Sequence, residues 1–219
     1  MRPKIITKQL EALDRNGISL AGQRVGAGVL LIDGAYASGG VATLDTQRIV
    51  GIYSGGNLAA RVFTITGTDG SGAVISETIT GPGVGATVSG VLMFKTVTRV
   101  YVDGTIASDA EVGTTDVGAT QIIPLDQHIS PFAIGLFVEI ASGATVNVTV
   151  QYTPDNVQTL TNINSAALGV AGVIWTPHAS LTNKTSNGDS NIAYPATAVR
   201  MLVNSGTAAA KFIIRQAGI

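Results

Sequence analysis

The chain has 219 residues, a net charge of −1 and only 12% charged residues, against about 25% in a typical soluble domain. The balanced charge offers no basic surface for phosphates, which disfavours nucleic-acid binding, and the absence of cysteine excludes disulfides and cysteine-ligated metals. Because 45% of the residues are hydrophobic and few are charged, the surface must consist of small neutral residues or be covered by other subunits, which favours a homo-oligomer.

The first 24 residues are predicted to form an N-terminal arm. Lys8–Gly17 places Leu10 and Leu13 at helical spacing before a glycine, so this stretch is either a short helical turn or irregular. The apolar segment of a signal peptide is missing, and no apolar run is long enough to cross a membrane, so we expect a soluble chain without membrane contact. Three cations of the arm suit an acidic partner surface: Arg2, Lys4 and Lys8.

Short β-strands separated by glycine-containing turns are predicted from residue 25 onward. The clearest pattern is FTITGTDGSGAVISETITGP (Phe63–Pro82), in which threonine and apolar residues alternate on both sides of the turn Thr68–Gly72. This alternation predicts a hairpin with one buried and one polar face, and Pro82 should end its second strand. The other strands predicted before residue 120 are Gly28–Ile32, Arg48–Tyr53, Val91–Val102 and Glu111–Thr114.

A second block of strands is predicted after residue 119. Asn204–Gly206 separates its last two strands, which predicts a terminal hairpin. Residues 153–195 have the composition of a loop but are long for a loop without structure, so we expect short strands within them, including one at Val170–Trp175. The other predicted strands are Gln121–Ile123, Ile134–Ile140, Thr145–Tyr152, Ala198–Val203 and Ala210–Gln216.

Strand signals that recur without helices between them indicate an all-β fold rather than parallel βαβ units. We predict two antiparallel β-sandwich modules of the jelly-roll or immunoglobulin-like kind. The first module covers residues 25–119 and the second covers residues 120–219, after the arm at residues 1–24.

Residues with catalytic or metal-binding patterns are scarce. The two histidines, His128 and His178, have no nucleophile motif nearby, and the carboxylates lie mostly in turns, where they bond to their own backbone. We therefore expect no catalytic residue, no metal, no cofactor and no enzyme activity. Trp175, the single tryptophan, is predicted to be a core or interface anchor rather than a sugar-stacking platform.

One segment resembles a known class of proteins. SGGNLAARVFTITGTDGSGAVISETITGP, followed by FKTVTRVYVDG and EVGTT, is similar to a segment that recurs in structural proteins of tailed bacteriophages; here it covers Ser54 to Thr115. The resemblance implies a virion structural protein that assembles in the host cytoplasm as many symmetric copies. It brings no catalytic residue with it.

Four functions follow in decreasing order of preference. The first is a capsid decoration or cement protein that binds the major capsid protein as a small homo-oligomer, such as a trimer. The second is a head–tail connector or tail accessory protein of the same virion, and copy number separates these two. The third is a carbohydrate-binding or adhesin module, which requires exposed aromatic rings. The fourth, an enzyme such as a glycan depolymerase, requires a pair of carboxylates that the sequence does not nominate.

Overall fold

The computed structural model describes residues 5–8, 13–128, 133–157, 173–206, 208 and 210–217. Throughout these residues the fold is all-β with antiparallel strand pairs, which confirms the predicted fold class at this level. The first nine strands are β1 (Ile5–Lys8), β2 (Ser19–Arg24), β3 (Gly28–Leu30), β4 (Ala37–Ser38), β5 (Val41–Ser54), β6 (Val62–Thr68), β7 (Val74–Thr80), β8 (Ala86–Val102) and β9 (Ile106–Ala119). The next seven are β10 (Ile123–Pro124), β11 (Ala133–Ile140), β12 (Val146–Thr153), β13 (Thr176–Pro177), β14 (Gly188–Ile192), β15 (Ala198–Gly206) and β16 (Ala210–Ala217).

The described residues divide into two compact units. The first unit comprises residues 13–116, and the second comprises residues 5–8 with the described residues from 117 onward. The border lies within β9, and the predicted boundary between residues 119 and 120 follows at the end of that strand. The predicted arm is divided, because β1 belongs to the second unit and β2 to the first. Residues 13–17 form a turn, while residues 9–12 of the considered helical turn lie outside the described part.

In the first unit, five long strands lie side by side in the order β7-β6-β8-β5-β9. The short strands extend them: β2 pairs with β9, β3 with β8 and β4 with β5. Alternate residues of each strand point to one side and bury an apolar core, as the period of two requires. Its fully buried members include Leu44, Ile52, Phe63, Ile65, Phe94, Val100 and Ile106.

The predicted hairpin is confirmed as β6–β7, paired from Val62↔Thr80 to Thr68↔Val74. Its turn is closed by Asp69, whose buried Oδ1 accepts hydrogen bonds from the backbone N–H groups of Ser71 (2.8 Å) and Ala73 (3.0 Å). β7 ends at Thr80, shortly before Pro82, as proline's lack of a donor predicts. The turn aspartate therefore fixes the register of the hairpin.

A bulge in β5 buries an ion pair that the sequence pattern did not indicate. The pairing with β8 passes from Thr43↔Thr96 to Arg48↔Phe94, so several residues of β5 leave the ladder. Within the bulge, Arg48 Nε lies 3.0 Å from Asp45 Oδ1, and the Arg48 side chain is 1% exposed. A buried guanidinium needs such partners, since an isolated buried charge is strongly destabilising.

The second unit contains two groups of paired strands. One runs in the order β1-β16-β11-β14; in the other, β12 pairs with β13 and β15, and β10 pairs with β15. The inward residues of both groups meet in one apolar core. Its members include Ile134, Leu136, Val138, Val148, Val150, Val199, Met201, Phe212 and Ile214.

The predicted terminal hairpin is wrong, because β15 and β16 belong to different groups of strands. β15 pairs with β12, while β16 pairs with β1 and β11. Asn204, predicted as a turn residue, instead lies near the end of β15 and donates from its side-chain amide to Asn147 Oδ1 (2.7 Å) and Thr149 Oγ1 (2.8 Å). This side chain joins β15 to β12 rather than turning the chain back.

The segment predicted as a loop contains an additional strand. β14 pairs with β11 from Ile134↔Ile192 to Val138↔Gly188. Short strands were expected in this segment, but the position of β14 was not predicted because Gly188–Ile192 is polar. The strand expected at Val170–Trp175 lies partly outside the described residues. Val173–Trp175 has no strand structure, and β13 begins at Thr176.

Candidate interaction site

Hydroxyl side chains cover the outer side of the β7-β6-β8 strands in the first unit. The strand register places outward-pointing residues of the three strands beside one another, and these residues are exposed or half-buried. The alternate residues are buried in β6 and buried or half-buried in β7. On β8 the register shifts after Thr66, so that Arg99 lies opposite Thr66. We call this surface the threonine face; it is formed by Thr64, Thr66, Thr68, Val74, Ser76, Thr78, Thr80, Thr96 and Thr98, together with Arg99 and Tyr101 of β8, which lie opposite Thr66 and Thr64.

Hydroxyl contacts connect the three strands of the threonine face. Thr68 Oγ1 and Thr96 Oγ1 are 2.7 Å apart, and Thr66 Oγ1 and Ser76 Oγ are 3.2 Å apart. Thr98 Oγ1 also donates to the Thr66 carbonyl at 3.2 Å. Such cross-strand pairs stabilise a sheet and restrict the rotamers of their side chains, so the face is an ordered surface.

A carboxylate supports the threonine face from its inner side. Glu77 Oε2 accepts hydrogen bonds from the backbone N–H groups of Val91 (2.8 Å) and Leu92 (3.2 Å), joining β7 to β8. Burial raises the pKa of Glu77 above its ordinary value of 4.5, and these two hydrogen bonds oppose that shift. Gly90 gives the carboxylate room, because a Cβ there would lie 2.1 Å from Glu77 Oε1.

Exposed apolar side chains are concentrated in the first unit. Val25 is 92% exposed, Val74 is 77% exposed and Leu31 is 76% exposed. Among the described residues, nine large exposed hydrophobic side chains belong to the first unit and two to the second. Those of the first unit are Leu13, Leu20, Val25, Val29, Leu31, Val62, Val74, Val84 and Val91; those of the second are Ile174 and Tyr194.

The four residues predicted for interaction are not brought together by the described structure. Arg2 and Lys4 lie outside the described residues. Lys8 is the last residue of β1, where it pairs with Ala210. Trp175 lies in the second unit, just before β13. The threonine face was not among the predicted sites, although the alternation that reveals it was visible in the sequence.

Trp175 packs inside an aromatic and cationic cluster of the second unit. The Arg200 guanidinium lies 4.3 Å from the centroid of the indole ring, and Arg200 Nε donates to Gln151 Oε1 at 2.8 Å. Burial lowers the pKa of Arg200 to about 10. The cation–π contact and the hydrogen bond offset part of the desolvation that lowers this pKa. Trp175 also packs against Ile122, Val157 and Ala198.

The two histidines have contacts with the backbone. His178 is buried, and its Nε2 donates to the Asn191 carbonyl at 3.1 Å. The backbone N–H of His128 donates to Asp126 Oδ1 at 2.9 Å, within a local turn. Across the described residues, no group of three or more histidine and carboxylate side chains is placed to bind a metal ion.

Comparisons with known proteins give no relative. No protein-family model matches the chain, and no curated protein sequence matches it. In the described part of the chain, no helix has the length and apolar character needed to cross a membrane.

Proposed function

We propose that this protein is a non-enzymatic structural component of a tailed-bacteriophage virion, acting as a capsid decoration or cement protein. It assembles in the host cytoplasm and binds the major capsid lattice as a small homo-oligomer, such as a trimer. Its role is to connect neighbouring capsid subunits against the pressure of the packaged DNA, and this role requires no cofactor.

The observation that carries the proposal is the position of the phage-like segment. Ser54–Thr115 begins at the last residue of β5, includes β6, β7 and β8, and ends within β9, so it supplies every residue of the threonine face. Apart from Arg99, a residue type that is enriched at interfaces, the side chains of this face are mostly hydroxyl and valine groups, which can be buried without the large desolvation cost of charged groups. A surface of this composition therefore suits a repeated, permanent protein contact.

The proposal includes the finer architecture. We assign each unit to an antiparallel β-sandwich of the jelly-roll or immunoglobulin-like kind. In the second unit, support comes from the single core that the β11 and β16 side chains share with those of β12 and β15. In the first unit, support comes from long strands with one apolar face each. Such modules present rigid surfaces, as a lattice clamp requires.

The capsid contact is assigned to the first unit. This unit has most of the exposed apolar side chains and the whole threonine face. Each contact need only be weak, because an oligomer that engages several capsid subunits gains affinity through multivalency.

A cryo-EM reconstruction of the phage particle tests this function. We expect hundreds of copies distributed over the head, bound at symmetric positions of the lattice. A few copies at the tail vertex would instead establish the head–tail connector or tail accessory role. Native mass spectrometry at micromolar concentration tests the oligomer separately, and a clean monomer there would contradict self-assembly.

Charged variants test the contact surface. Thr66→Lys and Thr78→Lys place cations on the threonine face, which should lower the number of copies bound per capsid in a reconstitution assay. Ser142→Lys adds the same charge at an exposed turn of the second unit and is the matched control. Equal binding by all three variants would show that the threonine face is not the contact.

A further inference from the structure

A second candidate site lies in the first unit, on a different set of strands from the hairpin. A cavity of about 280 Å³ opens over β5, β8 and β9. Its floor is Gly51, paired with Ser89, and the next pair on the same face is Tyr53 with Thr87. Because residues two apart on a strand share a face, these four side-chain positions point to the same side of the sheet.

Glycine at residue 51 keeps the cavity open. A Cβ there would lie 3.3 Å from Thr115 Cγ2 and 3.5 Å from Thr87 Cγ2, so any larger side chain would project into the space between them. Glycine in the interior of a strand is destabilising by about 0.5–1 kcal/mol relative to alanine, and it often marks close approach of a ligand or another chain. A cavity that binds a ligand would explain why glycine occupies residue 51 despite this cost.

One wall of the cavity is an arginine held in a fixed position. Arg15 Nε lies 2.6 Å from Glu111 Oε2, and the guanidinium lies 4.0 Å from the centroid of the Tyr53 ring. The turn that bears Arg15 is itself attached to β9, because Thr114 N–H donates to the Asp14 carbonyl at 2.9 Å. The guanidinium has five N–H donors, so it can form the ion pair with Glu111 and still donate to a ligand.

Four polar side chains at the cavity have no hydrogen-bond partner within the described part of the chain. They are a donor-acceptor set of three hydroxyls and one carboxylate: Tyr53, Thr87, Ser89 and Asp116. Each hydroxyl can donate and accept, and the carboxylate can accept from two neighbouring hydroxyls of a ligand. The exposed Leu13 side chain adds an apolar contact at the rim.

The charges at the cavity select the class of ligand. Arg15 contributes one positive charge, while Glu111 and Asp116 contribute two negative charges, so the site is unfavourable for an anion. A neutral ligand with several hydroxyl groups and an apolar C–H surface matches the donors, the acceptors and the Tyr53 and Leu13 contacts. Pockets for drug-sized ligands have volumes of about 300–1,000 Å³. The volume of this cavity lies just below that range, so the cavity has room for one or two sugar rings.

We propose that this cavity binds a neutral sugar residue of a glycan, with Asp116 accepting from vicinal hydroxyls and Arg15 donating to a ring or hydroxyl oxygen. The site differs from the one that sequence analysis considered, because it uses Tyr53 rather than Trp175. A sugar site would let the virion protein attach reversibly to polysaccharide in addition to its contact with the capsid.

Amide NMR on the full chain tests the site. The probes are the methyl α-glycosides of glucose, galactose and mannose, together with an array of neutral bacterial-surface glycans. We expect at least one neutral glycan to bind, and to shift the amide signals of Gly51, Arg15 and Ser89 while leaving Gly135 in the second unit unchanged. Glucose 6-phosphate, as an anionic probe, should bind more weakly than the neutral glucoside.

Three variants make the test specific. Gly51→Val fills the floor with a residue that favours strands and should abolish binding, and Gly51→Ala should weaken it if the valine variant does not fold. Asp116→Asn should weaken binding about tenfold, the loss of roughly one charged hydrogen bond. Thr78→Val on the threonine face is the control and should bind like the wild type.

Three results would overturn the sugar assignment. The first is that no neutral glycan binds in the array or by NMR. The second is that glucose 6-phosphate binds more tightly than the neutral glucoside. The third is that folded Gly51 and Asp116 variants bind as well as the wild type.

Discussion

The two units use the same type of strand for different purposes. The first unit leaves valines and threonines at its surface, whereas the second places its tryptophan and a buried arginine against each other. Among the described residues, exposed large apolar side chains are far more numerous in the first unit. Trp175, the residue that attracted attention in the sequence, lies in the unit with fewer exposed apolar groups.

The largest effect on stability should come from truncating a large buried side chain in one core while the other core stays intact. Phe212→Ala in the second unit should destabilise that unit by about 3–5 kcal/mol, because Phe212 is fully buried. Trp175 is the single tryptophan and lies in the second unit, so its fluorescence during urea unfolding reports that unit. The fluorescence midpoint should fall markedly.

Phe63→Ala in the first unit is the matched variant, since Phe63 is also fully buried. Phe63→Ala should lower the urea midpoint of the circular-dichroism transition that belongs to the first unit. It should leave the midpoint measured by Trp175 fluorescence unchanged. If both variants lower the fluorescence midpoint equally, the two cores unfold in one cooperative transition, and the two units are not independent in stability.

The next largest loss of stability is expected where β6 and β8 approach closely at Gly67. Gly67→Ala would place a Cβ 1.9 Å from the Thr96 carbonyl oxygen, at the bulge between β6 and β8. The backbone must move to relieve this clash, and we expect a loss of about 2–3 kcal/mol. Gly83→Ala is the control, because a Cβ there meets no atom within 4 Å. Equal denaturation midpoints for the two variants would contradict this account.

A smaller effect is expected at the cation–π pair of the second unit. Trp175→Ala removes the ring over Arg200 and leaves that buried guanidinium with one aromatic contact fewer, a loss of about 1–2 kcal/mol. Trp175→Phe keeps a ring and should recover part of the loss. Far-UV circular dichroism in urea measures both variants, and identical midpoints for alanine and phenylalanine would mean that the ring does not stabilise Arg200.

The smallest effect concerns Glu77. Because burial raises its pKa in the folded state above 4.5, the folded protein binds this proton more tightly than the unfolded chain does. The resulting stabilisation is fully present below pH 4.5 and is lost as the pH rises through the raised pKa. Glu77→Gln should remove this component, so the stability difference between wild type and variant should change with pH in that window. A difference that stays constant with pH would show that Glu77 titrates as it does in the unfolded chain.

Sequence analysis predicted features that depend on neighbouring residues. The alternation of Phe63 and Ile65 with threonines gave the β6–β7 hairpin, and the aspartate–glycine turn gave its closure, because both are written within a few residues. Features that depend on distant partners were missed. The polar strand β14 forms through its pairing with β11. Arg48 is buried at a bulge that the pairing of β5 with β8 creates, and its Nη1 donates to the carbonyl of the distant Thr115 at 3.2 Å.

The candidate sites show the same distinction. The alternation in the sequence predicts the outward-pointing residues of β6 and β7. The pairing of β6 with β8, which completes the threonine face, is known only from the structure. The cavity over Gly51 could not be derived, because its residues come from four separate segments of the chain. The incorrect terminal hairpin has a related cause: Asn204 has the composition of a turn, yet its side chain serves as a cross-link to β12.

The turn of the β6–β7 hairpin has a consequence for chemical durability. An aspartate followed by glycine is prone to isomerise, since the glycine nitrogen can attack the carboxyl group and form a succinimide. Here the Gly70 N–H donates to Gln47 Oε1 at 2.7 Å, and the buried Asp69 carboxylate is fixed by its bonds to Ser71 and Ala73. Both reacting groups are engaged, so this linkage should isomerise slowly and the turn should keep its native covalent structure for a long time.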